Sequence, residues 1–248
     1  METSDWDQYS ERGLLAAVID PLDTLGYKNA LIDRIQWDVL SNEISGASRL
    51  LDLGCGTGRF CRRISKKGVN YVGLDISQGM LAQANKHHLG GPFSFVRGDV
   101  RVLPFKASSF DLCLTTGVLQ YLVHSDQRAL ADEISSILAP AGRLCAIEQA
   151  STSNSFSSTV GRVVTESDYI TLLAPSFDRI SVKRVRCSFF SKTAQRYMKR
   201  ANWLPSLGRL LLPAIARLER YSLTKKRTSD FLQMPYYDIL VKAYRKNG

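Results

Sequence analysis

Residues 50–60, LLDLGCGTGRF, constrain the fold more than any other stretch of the chain. Arg49–Leu53 reads as a strand. It runs into a turn with glycine at 54, 56 and 58, and Arg59–Lys66 then starts a basic helix. Glycines so placed let the chain turn tightly and let a ligand lie against the backbone. A dinucleotide fingerprint would read G-x-G-x-x-G, with its last glycine serving helix packing. Here the spacing is shorter, and the ligand need not carry a pyrophosphate.

The pattern that follows places this turn in a parallel sheet. Tyr71–Leu74, Phe93–Val96, Phe110–Leu114 and Leu144–Ile147 read as strands. Helices at Gln78–Lys86 and Asp126–Leu138 alternate with them, the second stopped by Pro140 and Gly142. This alternation predicts a doubly wound α/β sheet. The first 45 residues read as helices, with Ala30, Leu31, Ile35 and Leu40 on one stripe. Beyond residue 150 the expectations are a Ser/Thr-rich loop at Ser151–Ser158, a helix at Glu166–Leu173, and strands at Ile180–Phe190 and Met234–Tyr244. Between the last two strands, Tyr197, Trp203, Leu207, Leu210, Leu211, Ile215, Leu218 and Tyr221 suggest a broad apolar helical face.

In open α/β sheets, ligands sit at the carboxyl ends of the strands. Asp75 ends the second strand, where an acid can accept both hydroxyls of a ribose. Gly98-Asp99-Val100 follows the third, where an adenine edge could be met.

Five ordered blocks carry a family resemblance: LDLGCGTG, GLD followed by IS, GDV, LPF with SFDLCLTTGVLQYL, and ILAPAGRL. Over roughly residues 45–150 the chain resembles class I S-adenosylmethionine-dependent methyltransferases. The resemblance implies a seven-stranded, mostly parallel Rossmann-like sheet whose last strand is antiparallel. It divides a single domain into an N-terminal helical cap (1–45), a core (46–190 and 236–248) and a basic helical insert (191–235). It implies cofactor contacts at Gly54, Cys55, Gly56 and Gly58, with Asp75 on the ribose. Ile76 and Met80 would lie beside the adenine, and Asp99 and Val100 at its amino group. Thr116 would face the methionine part, and Tyr9 is the N-terminal aromatic that closes over the cofactor. Asp52 either touches the cofactor or only orders the loop.

Methyl transfer from a sulfonium is an in-line displacement, which asks the protein to position two partners and exclude water. It requires no metal. A hydroxyl acceptor usually needs a base. His124, Glu148 and Tyr121 are the candidates, each with a plain structural alternative: an exposed loop histidine, a carboxylate bonded to nearby backbone, a packed ring. Gln120 could share the acceptor pocket with Tyr121. His87 and His88 read as a basic helix end.

Charge separates the core from the insert. The formal net charge is +10, yet residues 1–150 hold 15 Lys/Arg against 17 Asp/Glu, while residues 183–227 hold 13 against the single acid Glu219. That segment reads as a lid, as a membrane contact through 191–227, as an RNA-tracking surface, or as a packed extension with solvated charges. The expected acceptor is a small or lipid-linked, anionic metabolite. RNA and a non-catalytic cofactor-binding scaffold are the alternatives. Cys55, Cys61, Cys113, Cys145 and Cys187 form no CxxC pair and suit buried thiols in a reducing compartment. The polar, acidic N-terminus is unlike a signal peptide, so a cytoplasmic protein is expected, able to touch a membrane surface.

Overall fold

A computed structural model describes residues 3–15, 20, 23, 26–88, 90–151, 156–158, 161–186, 211, 213–218 and 236–246. The strand leading into the glycine turn, β1 (Arg49–Leu53), lies in the middle of a sheet. It pairs in parallel with β2 (Asn70–Asp75) on one side and β4 (Phe110–Thr116) on the other. All its residues but Arg49 are buried, as expected for a strand covered on both faces. Continuing outward, β3 (Phe93–Arg97) pairs with β2, and β5 (Leu138–Ser151) with β4, again in parallel. The last strand, β9 (Tyr236–Arg245), runs antiparallel between β5 and β8 (Phe177–Arg186). The core order is therefore β3-β2-β1-β4-β5-β9-β8, a mixed seven-stranded sheet with the expected antiparallel last strand.

Helices cover both faces. α2 (Tyr27–Glu43) and α3 (Cys61–Ser65) pack with Leu50, Leu112 and Leu240 on one side. On the other, α5 (His124–Ile137) and α6 (Glu166–Leu173) pack with Leu51, Leu53 and Val241. α4 (Gln78–His87) is capped by the Ser77 hydroxyl, which accepts from the Met80 amide. α6 begins in a capping box between Thr165 and Asp168. A buried ion pair, Arg186 Nε to Asp238 Oδ2 at 2.7 Å, ties β8 to β9.

Four expectations need revision. The helix of residues 126–138 starts at His124 and ends at Ile137. Pro140 and Gly142 do not follow it as a stop but lie within β5, where Ala141 takes a φ of +60° and the register with β4 shifts. β5 is far longer than Leu144–Ile147. The Ser151–Ser158 loop contains a strand, β6 (Phe156–Ser158), in a hairpin with β7 (Gly161–Thr165), which adds to the end of β5. β8 begins at Phe177 rather than Ile180, and residues 187–190 lie outside the described set. Most of the insert, residues 191–210, 212 and 219–235, also lies outside it, as do Tyr197, Trp203, Leu207, Leu210, Tyr221 and Cys187. Residues 213–218 are helical. Ala216 is buried in the core, but Leu211 and Leu218 are exposed, so these two do not extend a buried face. Among the described residues no helix is long and apolar enough to cross a membrane.

Candidate active site

Strand order reverses between β1 and β4, and a cavity of about 450 Å³ opens there at the carboxyl ends of the strands. The glycine turn forms its floor. The Gly54 and Cys55 amides both donate to the Leu74 carbonyl, at 2.8 and 3.0 Å, which folds the loop across β2. Gly54 has a φ of +67°, and a Cβ there would stand 2.5 Å from Val118 Cγ2, so only glycine leaves the cavity open. Asp75 accepts from the Gly56 amide at 2.7 Å through Oδ2 and from the Ser77 amide at 2.9 Å through Oδ1. It thus orders the turn. Burial raises its pKa.

Asp52 and Arg59 add a carboxyl and a guanidinium to the wall. Tyr71 donates to Asp52 at 2.7 Å, and burial pushes the Asp52 carboxyl up to about 7. Arg59 is buried, donates to Asp33 at 3.1 Å and Gln36 at 2.6 Å on α2, and lies over the Phe60 ring. Asp33 also pairs with Arg63. The cap helix α2 is thereby fastened to the residue that follows the last glycine.

A second N-terminal helix, α1 (Thr3–Tyr9), closes the cavity from above. Its Asp7 accepts from the Ser77 hydroxyl and the Gly79 amide at the start of α4, and these bonds hold its carboxyl below the usual range. Trp6 meets Tyr121 edge to face at 5.0 Å. Leu14 accepts from the Thr57 hydroxyl at 2.9 Å.

Tyr9, Asp52, Gly54, Cys55, Gly56, Asp75, Ile76, Met80, Asp99, Val100 and Thr116 all line this one cavity. Gly58 does not. Its φ is +69° and a Cβ would sit 2.8 Å from the Phe95 ring, so this glycine serves packing behind the turn. Cys55 is buried with its sulfur against Gly73, and burial raises its pKa far above the usual thiol range. Asp99 receives Arg101 Nε at 3.0 and 2.9 Å.

The three base candidates separate. Tyr121 lines the cavity, and burial pushes its phenol up to about 12. Glu148 lies behind the wall, enclosed within β5. Its Oε1 accepts from the Thr115 hydroxyl (3.1 Å) and from the Val118 (3.1 Å) and Leu119 (3.3 Å) amides. It therefore holds the 3₁₀ turn Leu119–Tyr121 in place instead of facing the cavity. His124 opens α5, is exposed and is not on the wall. Trp6, Arg59, Arg101, Leu122, Val123 and Asp126 line the cavity without having been singled out beforehand. Only Arg59, directly after the glycines, carried a readable signal.

Comparison with known proteins agrees with this geometry. The family model described as a methyltransferase domain matches residues 50–142. An uncharacterized methyltransferase of Mycobacterium marinum is 33% identical over 106 residues, 43% of this chain and 41% of the relative. The biotin biosynthesis bifunctional protein BioHC of Cellvibrio japonicus is 38% identical over 96 residues, 39% of this chain and 18% of the relative. The matched part thus spans less than half the length of these relatives. Across nearly the whole chain the fold is shared with geranyl diphosphate C-methyltransferase from Streptomyces coelicolor A3(2). That match has a TM-score of 0.66 and 15% identity over 98% of this chain and 97% of the other. Phosphoethanolamine N-methyltransferase 2 of Haemonchus contortus matches with a TM-score of 0.64 and 16% identity, over 92% of this chain and 60% of the other. Over residues 50–142 the chain is thus similar to a methyltransferase domain, and its fold is one that methyltransferases share.

Proposed function

We propose that the chain transfers the methyl group of S-adenosylmethionine to a small-molecule acceptor, lipid-linked forms included, seated beneath α1. One observation supports this most. A single cavity joins the Gly54–Asp75 cradle at the strand ends to a chamber walled by Trp6, Tyr9, Val118, Tyr121 and Leu122. The cradle suits an adenosyl group: Gly54 and Gly56 present backbone, and Asp75 brings a carboxylate to the cavity wall where ribose hydroxyls would lie. Arg59 offers a positive charge, and Asp52 a hydrogen-bonding carboxyl, to an amino-acid end. When bound, the cofactor supplies an electrophilic methyl group on a sulfonium. The chain's own part is to align the acceptor for in-line attack and keep water out. α1 closes the chamber, and Glu148 sets the turn that carries Gln120 and Tyr121. Tyr121 keeps its proton at neutral pH and orients the acceptor by donating a hydrogen bond.

Relatives and structural neighbours are named for oxygen, carbon and nitrogen acceptors. They include a malonyl-[acyl-carrier protein] O-methyltransferase of Erwinia billingiae, the geranyl diphosphate enzyme and the phosphoethanolamine enzyme. The acceptor is therefore chosen by the chamber, not by the shared core. Calorimetry with S-adenosylhomocysteine tests the reading. The full chain is expected to bind it, and Asp75→Ala to weaken binding about a hundredfold, as for two lost charge-assisted hydrogen bonds. No binding by the unmodified chain refutes the function. Undiminished binding by Asp75→Ala refutes the ribose role.

A further inference from the structure

The amides of the glycine turn are held by groups other than Asp52. Those of Gly54 and Cys55 donate to the Leu74 carbonyl, that of Gly56 to Asp75, and that of Gly58 to the Cys55 carbonyl at 3.0 Å. Asp52 takes a phenol instead. Tyr71 stands opposite Leu50 in the β1–β2 ladder, and Asp52 lies two positions further along β1 on the same face. The Tyr71 ring spans that step, and its hydroxyl donates to Asp52 Oδ2 at 2.7 Å. Both residues are buried. Asp52 lines the cavity, and Tyr71 stands behind it.

The groups that face Asp52 come from each element packed around it. β2 brings Tyr71 and Asp75, and the turn and α3 bring Cys55, Arg59 and Cys61. β4 brings the apolar Leu114, opposite Asp52 in the ladder. Arg59 is held in turn by Asp33 and Gln36 of α2. Burial outweighs the rest and raises the Asp52 carboxyl to about 7, while the Tyr71 bond and the Arg59 charge pull it down and Asp75 pushes it up. A phenylalanine ring would fill the same space beside Phe95, whose ring centroid lies 6.0 Å away. What the Tyr71 hydroxyl adds is therefore its bond to Asp52. A hydroxyl buried here is tolerated only through such a partner, and the partner belongs to the cavity wall. A donor on one oxygen also stops the carboxyl from turning, as a binding group held from behind requires.

We propose that Tyr71 is a positioning residue for cofactor binding, its phenol fixing the Asp52 carboxyl as the acceptor for the amino group of the cofactor's amino-acid end. This rests on the methyl-transfer reading above, which puts Asp52 and Arg59 at that end. Arg59 meets the carboxylate of that end, and Asp52 meets the ammonium. Removing the phenol weakens recognition of the amino group and leaves the cradle at Gly56 and Asp75 in place. Pairing with a cation requires an ionised Asp52, so that recognition strengthens as pH rises through about 7. The Tyr71 bond favours the ionised carboxyl and extends the recognition to lower pH.

The test compares S-adenosylhomocysteine with its deaminated analogue, in which hydrogen replaces the amino group, by calorimetry on the full chain between about pH 5.5 and 8. The ratio of the two affinities reads the amino group alone. Asp75, His88 and Glu148 also have shifted pKa values, but they act on both ligands and cancel in the ratio. In the parent the ratio is expected to climb at least about tenfold with pH. Tyr71→Phe is expected to move the midpoint of that climb up by about one pH unit and to cut the ratio at pH 7 about fivefold, as for one lost hydrogen bond to a charged group. It is expected to bind the deaminated analogue within about twofold of the parent. Asp52→Asn is expected to abolish the climb, and adding Tyr71→Phe to it to leave the ratio unchanged, because the two residues act as one unit. A ratio that stays flat with pH in the parent overturns the inference, as does a climb that survives Asp52→Asn. So does loss of both ligands alike by Tyr71→Phe, misfolding included, because the phenol would then support the site as a whole. Failure of the parent to bind S-adenosylhomocysteine overturns the methyl-transfer reading itself. Binding of it no tighter than the deaminated analogue at pH 8 overturns only the roles of Asp52 and Tyr71.

Discussion

Glu148 gives this fold a pH signature that one substitution isolates. Its carboxyl is enclosed within β5, and burial pushes its pKa from 4.5 to about 7. In the unfolded chain it returns to the ordinary value. Between those two pH values the folded state keeps a proton that the unfolded state has released. The folded state therefore binds more protons, and stability falls as pH rises through the window. A span of about 2.5 pH units at about 1.36 kcal/mol each amounts to about 3 kcal/mol. Asp52, raised to about 7 by the same enclosure, contributes a second slope of the same sign and similar size. The acids held below their usual range by partners, Asp99, Asp111 and Asp132, act at lower pH, outside this window. Glu148→Gln keeps an oxygen for Thr115, Val118 and Leu119 but cannot titrate. Its amide nitrogen falls where Oε2 is buried without a partner, so stability drops by about 1–3 kcal/mol at pH 5, and this deficit shrinks or reverses as the pH rises and the parent's carboxyl ionises. Urea unfolding at pH 5, 6, 7 and 8 is expected to show the parent losing about 3 kcal/mol more than the variant across the series, the other shifted groups, Asp52, Asp75 and His88, being common to both. A variant with the parent's slope would refute the reasoning, because the titrating group would then lie elsewhere.

The two outer glycines of the turn should part company. Gly58→Ala is expected to cost about 2–4 kcal/mol in denaturant unfolding, from its left-handed backbone and the Phe95 contact, with S-adenosylhomocysteine affinity kept. Gly54→Ala, whose Cβ pushes Val118 into the cavity, is expected to lose affinity at least tenfold. Asp7→Ala removes the bonds to Ser77 and Gly79. Stopped-flow release of S-adenosylhomocysteine should then quicken about fivefold, or about 1 kcal/mol for a partly exposed charged bond, with little change in melting temperature. Arg186→Leu strands Asp238 in the interior and is expected to cost about 3–5 kcal/mol, much of it recovered when Asp238→Asn is added.

Periodicity made the inner sheet legible. Strands covered on both faces are short apolar runs, and β1 to β4 stand within a few residues of where those runs lie. The β6–β7 hairpin was hidden because Ser and Thr read as loop, whereas its pairing comes from the extended tail of β5. Most residues expected on the cofactor side do line one cavity, and they were readable because they follow strand ends in fixed order. The acceptor side was not. Trp6 comes from a helix some 115 positions before its partner Tyr121, and only docking by Asp7 brings them together. Glu148 looked like a base because its place at a strand end was visible, while the amides that occupy it belong to a turn whose direction no pattern announces. Gly58 matched the motif by spacing alone, and the Phe95 ring behind it comes from another strand.

The seating of α1 sets how the molecule breathes. It rests on side-chain bonds from Asp7 and Thr57 and on one ring contact, none of which is shared with the sheet's backbone ladder. Swinging this segment away costs on the order of 2–5 kcal/mol, well below global unfolding. Spent cofactor can therefore depart through a brief local opening while the strands stay paired. Because the segment touches both the α4 side through Asp7 and the Tyr121 side through Trp6, each opening unseals both halves at once. On the proposed function, cofactor and acceptor would then exchange through the same opening, governed by the seating of one seven-residue helix.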